Sequence, residues 1–203
     1  MTTLDFDPTG RYLATGSTDT TIKVWVMEGR FCTHNLKGHG GIIQTVKFDE
    51  MDPFRLFTTS DDTTARVWDL KRKKCIAVLK AHSSSVRAID LDASGTLLMT
   101  AGRDQMVHLW SAVDYKLKSS YPVFELIEAA GFVPQEDVAT MTGNAASDAA
   151  LFWTAGGQGR LKLWSAKTGT EQWTEKRDER ATFEIVNAMY LSLLSLHFGR
   201  VSD

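Results

Sequence analysis

The side chains of this sequence best suited to acid–base or metal chemistry are His34, His39, His82 and His108 and the aspartates Asp19, Asp62 and Asp104. Asp61 and Asp62 also stand together beside Arg66 and Trp68, an arrangement that could serve a general acid–base pair. Their spacing argues for another role. A threonine lies four residues before each turn aspartate (Thr15, Thr58, Thr100) and a tryptophan six after it (Trp25, Trp68, Trp110). His39 lies 29 residues before Trp68, and His82 lies 28 before Trp110. A turn carboxylate can accept from a histidine N–H, a threonine hydroxyl can relay, and an indole N–H can close the chain. The columns therefore read as structural networks: His39, Thr58, Asp62 and Trp68 in one unit, and His82, Thr100, Asp104 and Trp110 in the next. Thr15, Asp19 and Trp25 form a version without the histidine. Since the four histidines follow the repeat, they are assigned to different units, and no metal or catalytic site is expected from them. Gly156-Gly157-Gln158-Gly159-Arg160 precedes a strand rather than a helix, so it is not read as a phosphate loop, and no cofactor is expected.

Four tryptophans, at 25, 68, 110 and 164, mark the units, with a period of 42 to 43 residues stretched once. Thr154–Trp164 is the most worn copy and carries Gln158 in the aspartate column. Each unit opens on an alternating strand, as at Ile43–Phe48 and Val86–Leu91. Turns rich in Asp, Pro and Gly lead to second strands at Tyr12–Thr15, Leu56–Thr59 and Leu97–Ala101. Tight turns at Asp19, Asp62 and Asp104 lead to the tryptophan strands, where a polar residue two before the tryptophan recurs as Lys23, Arg66, His108 and Lys162. Fourth strands follow, clearest at Cys32–Leu36 and Cys75–Leu79. Four strands per period of about 42 residues make the blade of a β-propeller, so the fold class is all-β.

A composition of 43% apolar and 24% charged residues is globular, and a net charge of −2 removes the overall basic field of a protein that grips nucleic acid through phosphates. Cys32 and Cys75 each sit seven residues after a repeat tryptophan and read as small buried hydrophobes rather than a disulfide. The N-terminus has neither the basic nor the apolar stretch of a secretory signal, and Ile185–Phe198 is too short and too interrupted to cross a bilayer. A soluble, intracellular chain with no membrane or small-molecule partner is expected.

Gly38-His39 followed about 29 residues on by Trp68-Asp69 resembles the WD-repeat family over about residues 1–175. Val26, Ser111 and Ser165 replace the aspartate of the dipeptide elsewhere. Within that family, three stretches resemble the transducin-beta-like proteins of the U3 small nucleolar ribonucleoprotein, or small-subunit processome. They are the junction Tyr121–Ala130, where Pro-Val-Phe-Glu stands in place of Gly-His, Leu79-Lys80-Ala81-His82, and Thr154–Gly159. The resemblance implies a non-catalytic scaffold in the nucleolus that supports pre-rRNA processing, with partners in the UTP-B group of processome subunits and the U3 particle. A WD-repeat substrate adaptor, as in ubiquitin ligases, is the rival from another class. No constellation supports an enzyme.

Blades are expected over about 1–38, 39–80, 81–122 and 123–175, forming an open segment of a larger propeller. Gln135–Ala150 reads as an insertion, either a surface loop or an interaction motif. The tail 176–203 lacks the repeat pattern and fits a short amphipathic helix or a strand, or a misread gene model. Lys71–Lys74 is a basic run, read either as a solvated turn or as a nuclear-targeting or rRNA contact. Thr18, Asp61 and Arg103, each just before a turn aspartate or its equivalent, are the expected protein-binding residues.

Overall fold

The computed structural model describes residues 1–134, 150–157 and 159–174. The expectations for the insertion (Ala150 apart), for Gln158 and for the tail 176–203 lie outside the described residues. The described chain holds sixteen strands in four antiparallel sheets, each built from four consecutive strands in chain order. The first sheet comprises β1 (Thr3–Phe6), β2 (Tyr12–Gly16), β3 (Ile22–Val26) and β4 (Phe31–Leu36). The second comprises β5 (Ile43–Phe48), β6 (Arg55–Ser60), β7 (Thr64–Asp69) and β8 (Lys74–Lys80). The third comprises β9 (Val86–Leu91), β10 (Leu97–Gly102), β11 (Met106–Ser111) and β12 (Leu117–Pro122), and the fourth β13 (Ile127–Phe132), β14 (Leu151–Gly156), β15 (Leu161–Ser165) and β16 (Glu171–Thr174).

Burial follows from a strand's place in its sheet. β6 and β10 are covered on both faces and are buried along almost their whole length, whereas β8, at the sheet edge, alternates exposed and covered positions. The edge position also corrects the reading of the cysteines. Cys32 on β4 is exposed, Cys75 on β8 is half-buried, and both thiols are free.

Apolar clusters join the sheets in series. Ala14, Ile22 and Val24 of the first sheet pack against Phe48, Leu56 and Trp68 of the second. Phe57, Ala65 and Val67 of the second pack against Leu98 and Trp110 of the third, and Met99 and Val107 of the third against Phe152 and Trp164 of the fourth. Each tryptophan face is thus capped by the plain face of the sheet before it. No described core cluster joins the fourth sheet back to the first, so the arrangement is an open propeller segment. Carboxylates on the first strands fasten one sheet to the next: Phe48 N donates to Asp5 (2.7 Å) and Phe132 N donates to Asp90 (2.7 Å). No helix among the described residues is long and apolar enough to cross a membrane.

Two local irregularities repeat in every sheet. The register between the third and fourth strands slips at the residue before each of Trp25, Trp68, Trp110 and Trp164, a bulge that sharpens the local twist. The residue after each turn aspartate, Thr20, Thr63 or Gln105, has a positive φ of 66–70°. The aspartate steadies that strained turn by accepting from the next backbone N–H, as in Thr64 N to Asp62 (3.0 Å).

Candidate functional site

In the second sheet the turn between β6 and β7 meets the segment entering β5. His39 Nδ1 is 2.8 Å from Asp62 Oδ2, His39 Nε2 is 2.8 Å from Thr58 Oγ1, and Trp68 Nε1 donates to Thr58 Oγ1 at 2.9 Å. Gly40 N also donates to Asp62 (2.8 Å). This close approach needs bare backbone, since a Cβ on Gly41 would lie 2.7 Å from Asp62 N. Burial would raise the Asp62 carboxyl, but hydrogen bonds from the Thr64 hydroxyl, Gly40 N–H and His39 outweigh it and hold Asp62 at about 2. Burial lowers His39 and outweighs the pull of Asp62, so the imidazole is favoured neutral. An ionised Asp62 can only accept, which puts the His39 proton on Nδ1. Nε2 then accepts from the Thr58 hydroxyl, and Thr58 accepts from the indole. Every donor in the chain from Trp68 to Asp62 points the same way.

The third sheet repeats the arrangement. His82 Nδ1 lies 2.9 Å from both Asp104 oxygens, His82 Nε2 lies 2.9 Å from Thr100 Oγ1, and Trp110 Nε1 donates to Thr100 at 3.0 Å. Asp104 is again held low: burial raises it, and the His82 hydrogen bond leads the contacts that outweigh burial. In the first sheet Trp25 Nε1 donates to Thr15 (3.1 Å), and Asp19 accepts from Thr21 N (3.0 Å).

The fourth sheet solves the problem differently, in a way that sequence columns missed. Trp164 Nε1 still donates to Thr154 (2.9 Å), but Glu125 stands where the histidine would be. Its carboxylate, 4% exposed with the whole residue, lies 3.0 Å from Lys162 Nζ. An ion pair thus replaces the imidazole, and the signal was available: Phe124-Glu125 falls in the Gly-His column, and Lys162 two residues before Trp164.

The assignment of the histidines to separate units also needs correction. His82 enters β9 and His108 lies on β11 of the same sheet, where Thr100 is the cross-strand partner of His108. The two imidazole rings meet edge to face at 4.3 Å. Burial, and then the neighbouring His82, lower His108 to about 4. Its Nδ1 is 2.8 Å from Ser120 Oγ, while Nε2 is buried without a hydrogen-bond partner.

The family model described as "WD domain, G-beta repeat" matches residues 1–26, 30–69 and 73–111. The chain belongs to the WD-repeat family. Similar proteins include transducin beta-like protein 3 of Bos taurus, 37% identical over 171 residues (83% of this chain, 21% of that protein), and that of Homo sapiens, 36% over 176 residues (86% and 22%). U3 small nucleolar RNA-associated protein 13 of Saccharomyces cerevisiae is 37% identical over 179 residues (82% and 21%). The chain spans about a fifth of the length of these relatives.

In this WD-repeat segment Thr18, Asp61 and Arg103 are exposed and occupy the β2–β3, β6–β7 and β10–β11 turns of successive sheets. Asp61 is not left free to face a partner, as its place outside the network suggests. It accepts from Gln44 Nε2 (2.8 Å) and from the Ser85 hydroxyl of the next sheet. Arg103 pairs with Glu128 (2.7 Å), which also pairs with Arg87 (2.7 Å), and Arg87 donates to Gln44 (2.5 Å). The ladder Asp61–Gln44–Arg87–Glu128–Arg103 crosses three sheets, and sequence reasoning missed its middle members. They are ordinary polar residues on first strands, and only the side-by-side placement of β5, β9 and β13 brings them together. Lys71–Lys74 forms an exposed turn between β7 and β8, with Lys71 Nζ 4.5 Å from the Phe54 ring centre.

Proposed function

We propose that the chain is a non-catalytic scaffold segment of a nucleolar ribosome-biogenesis protein, acting in the U3 snoRNP or small-subunit processome and supporting pre-rRNA processing. The observation that carries this reading is the extent of the likeness. The relatives named for transducin-beta and for U3 small nucleolar RNA align over 171 to 179 residues, so the similarity runs well past residue 111, where the general repeat match stops. The mechanism is display. Residues 1–175 form four blades, over about 1–38, 39–80, 81–122 and 123–175, whose rigid turns present Thr18 and the Asp61–Arg103 ladder to protein partners of the UTP-B group and the U3 particle. The buried networks hold those turns and do no chemistry, since their donors and acceptors are spent on one another.

Affinity purification of the tagged chain from eukaryotic cells tests the assignment. Co-recovery of processome proteins with U3 RNA is the expected result. Recovery of cullin-type ligase subunits without nucleolar proteins overturns it in favour of a substrate adaptor.

A further inference from the structure

We propose that His82, Asp104 and His108 form a binding site for a borderline transition-metal dication, Zn²⁺ or Co²⁺, in the third sheet alone. One donor atom from each residue lies within 4.8 Å of the other two, the one such group among the described residues. Two imidazoles and a carboxylate are a donor set that such ions accept.

The outer hydrogen bonds already suit coordination. His108 Nδ1 is held by the Ser120 hydroxyl (2.8 Å), which turns the unpartnered Nε2 inward, on a residue only 4% exposed. His82 Nε2 is held by Thr100 (2.9 Å), leaving Nδ1 toward Asp104. Anchoring one ring nitrogen to orient the other is how ligating histidines are positioned.

Comparison of the sheets shows why an ion belongs there. The position two before the tryptophan carries a fixed cation in each of the other three. Lys23 acts on Asp19, the Arg66 charge reaches His39 beside Asp62, and Lys162 pairs with Glu125. In the third sheet that position holds an imidazole, and the Asp104 carboxylate has no fixed cation opposite it in this column. A bound dication supplies the missing positive charge.

Binding needs no net change in protonation of a neutral His82. The metal takes the Nδ1 lone pair, the Nδ1 proton leaves, and Nε2 takes one up. The Thr100 hydroxyl then turns from donor to acceptor, its oxygen accepting from both His82 and Trp110.

The test uses the full chain, stripped with a chelator and titrated with Co²⁺ while visible d–d absorption is followed, and with Zn²⁺ by calorimetry. A cobalt band saturating at one equivalent per chain, bleached by Zn²⁺, is expected. His108→Lys, which installs the residue found at this position in the first and fourth sheets, should weaken binding at least about 100-fold. His34→Gln, removing an imidazole that lies on β4 against Leu70 O, should leave it unchanged. His108→Gln serves as a second variant should the lysine disturb folding, which circular dichroism of the metal-free proteins reports. Absence of both the cobalt band and zinc heat in the wild-type chain overturns the site, as does a band that survives in both His108 variants.

Discussion

Replacing Thr58 by valine changes almost nothing in shape, and valine suits a strand at least as well as threonine. It removes one hydroxyl that is fully buried and serves two partners at once, Trp68 Nε1 (2.9 Å) and His39 Nε2 (2.8 Å). Each buried polar group left without a partner costs about 1–3 kcal/mol, so Thr58→Val should destabilise the chain by roughly 2–5 kcal/mol. The other sheets supply a graded control. Thr154 is equally buried but holds only Trp164, so Thr154→Val should cost about 1–3 kcal/mol. Thr15 is half-buried and holds only Trp25, where water can substitute, so Thr15→Val should cost about 0.5–1 kcal/mol. Thr100→Val should match Thr58→Val, since it faces both Trp110 and His82. Urea titrations read these differences directly, provided the m-values agree among variants. The reasoning fails if Thr58→Val and Thr15→Val cost the same within about 0.5 kcal/mol, because the network would then add nothing to the indole bond.

Stability should fall with acid in two windows. The folded His39 pKa lies below the ordinary 6.5, so its contribution is full above 6.5 and is lost as pH falls from there through the folded value. Asp62 contributes fully above 3.8 and loses its share as pH falls toward about 2, a loss of roughly 1–2 kcal/mol after discounting for partial exposure. Thermal melts across pH 2–8 should therefore show two steps, and Asp62→Asn should abolish the lower-pH part due to this site. Lys162→Met should strand the buried Glu125 and cost about 3–5 kcal/mol, with the double change Lys162→Met, Glu125→Leu recovering most of it. A double-mutant cycle that shows no coupling would contradict the ion pair. Asp61→Ala, by contrast, removes exposed contacts to Gln44 and Ser85 and should cost no more than about 1 kcal/mol in the same denaturation assay.

The strands and the Asp–Thr–Trp columns were legible because a repeat prints the same constraint several times, so Asp62 could be told from Asp61 by column alone. What depends on one sheet's departure from the repeat was harder to read. Glu125 carries no histidine-like signature, and its role emerges only when Lys162 is seen beneath it. His82 and His108 are 26 residues and two strands apart in sequence, yet the pairing of Thr100 with His108 brings the rings together. Counting by tryptophans gives the period of a sheet but not the register across it. Cys32 and Cys75 were misread for a related reason. A repeated position implies equivalence, not depth, and the fourth strand of each sheet is an edge.

The lacing of His39 to Asp62 closes over only 23 residues, and every strand pairs with its neighbour in the chain. Such short closures cost little loop entropy, so a sheet can close as soon as its own fourth strand is available. A ribosome releasing this chain from its N-terminal end would then lay sheets down one after another. Each new tryptophan face would find the apolar face of the preceding sheet already formed. The order of synthesis and the order of packing would coincide, and pulse proteolysis of ribosome-bound chains stalled after residues 80 and 122 should find protection growing one sheet at a time.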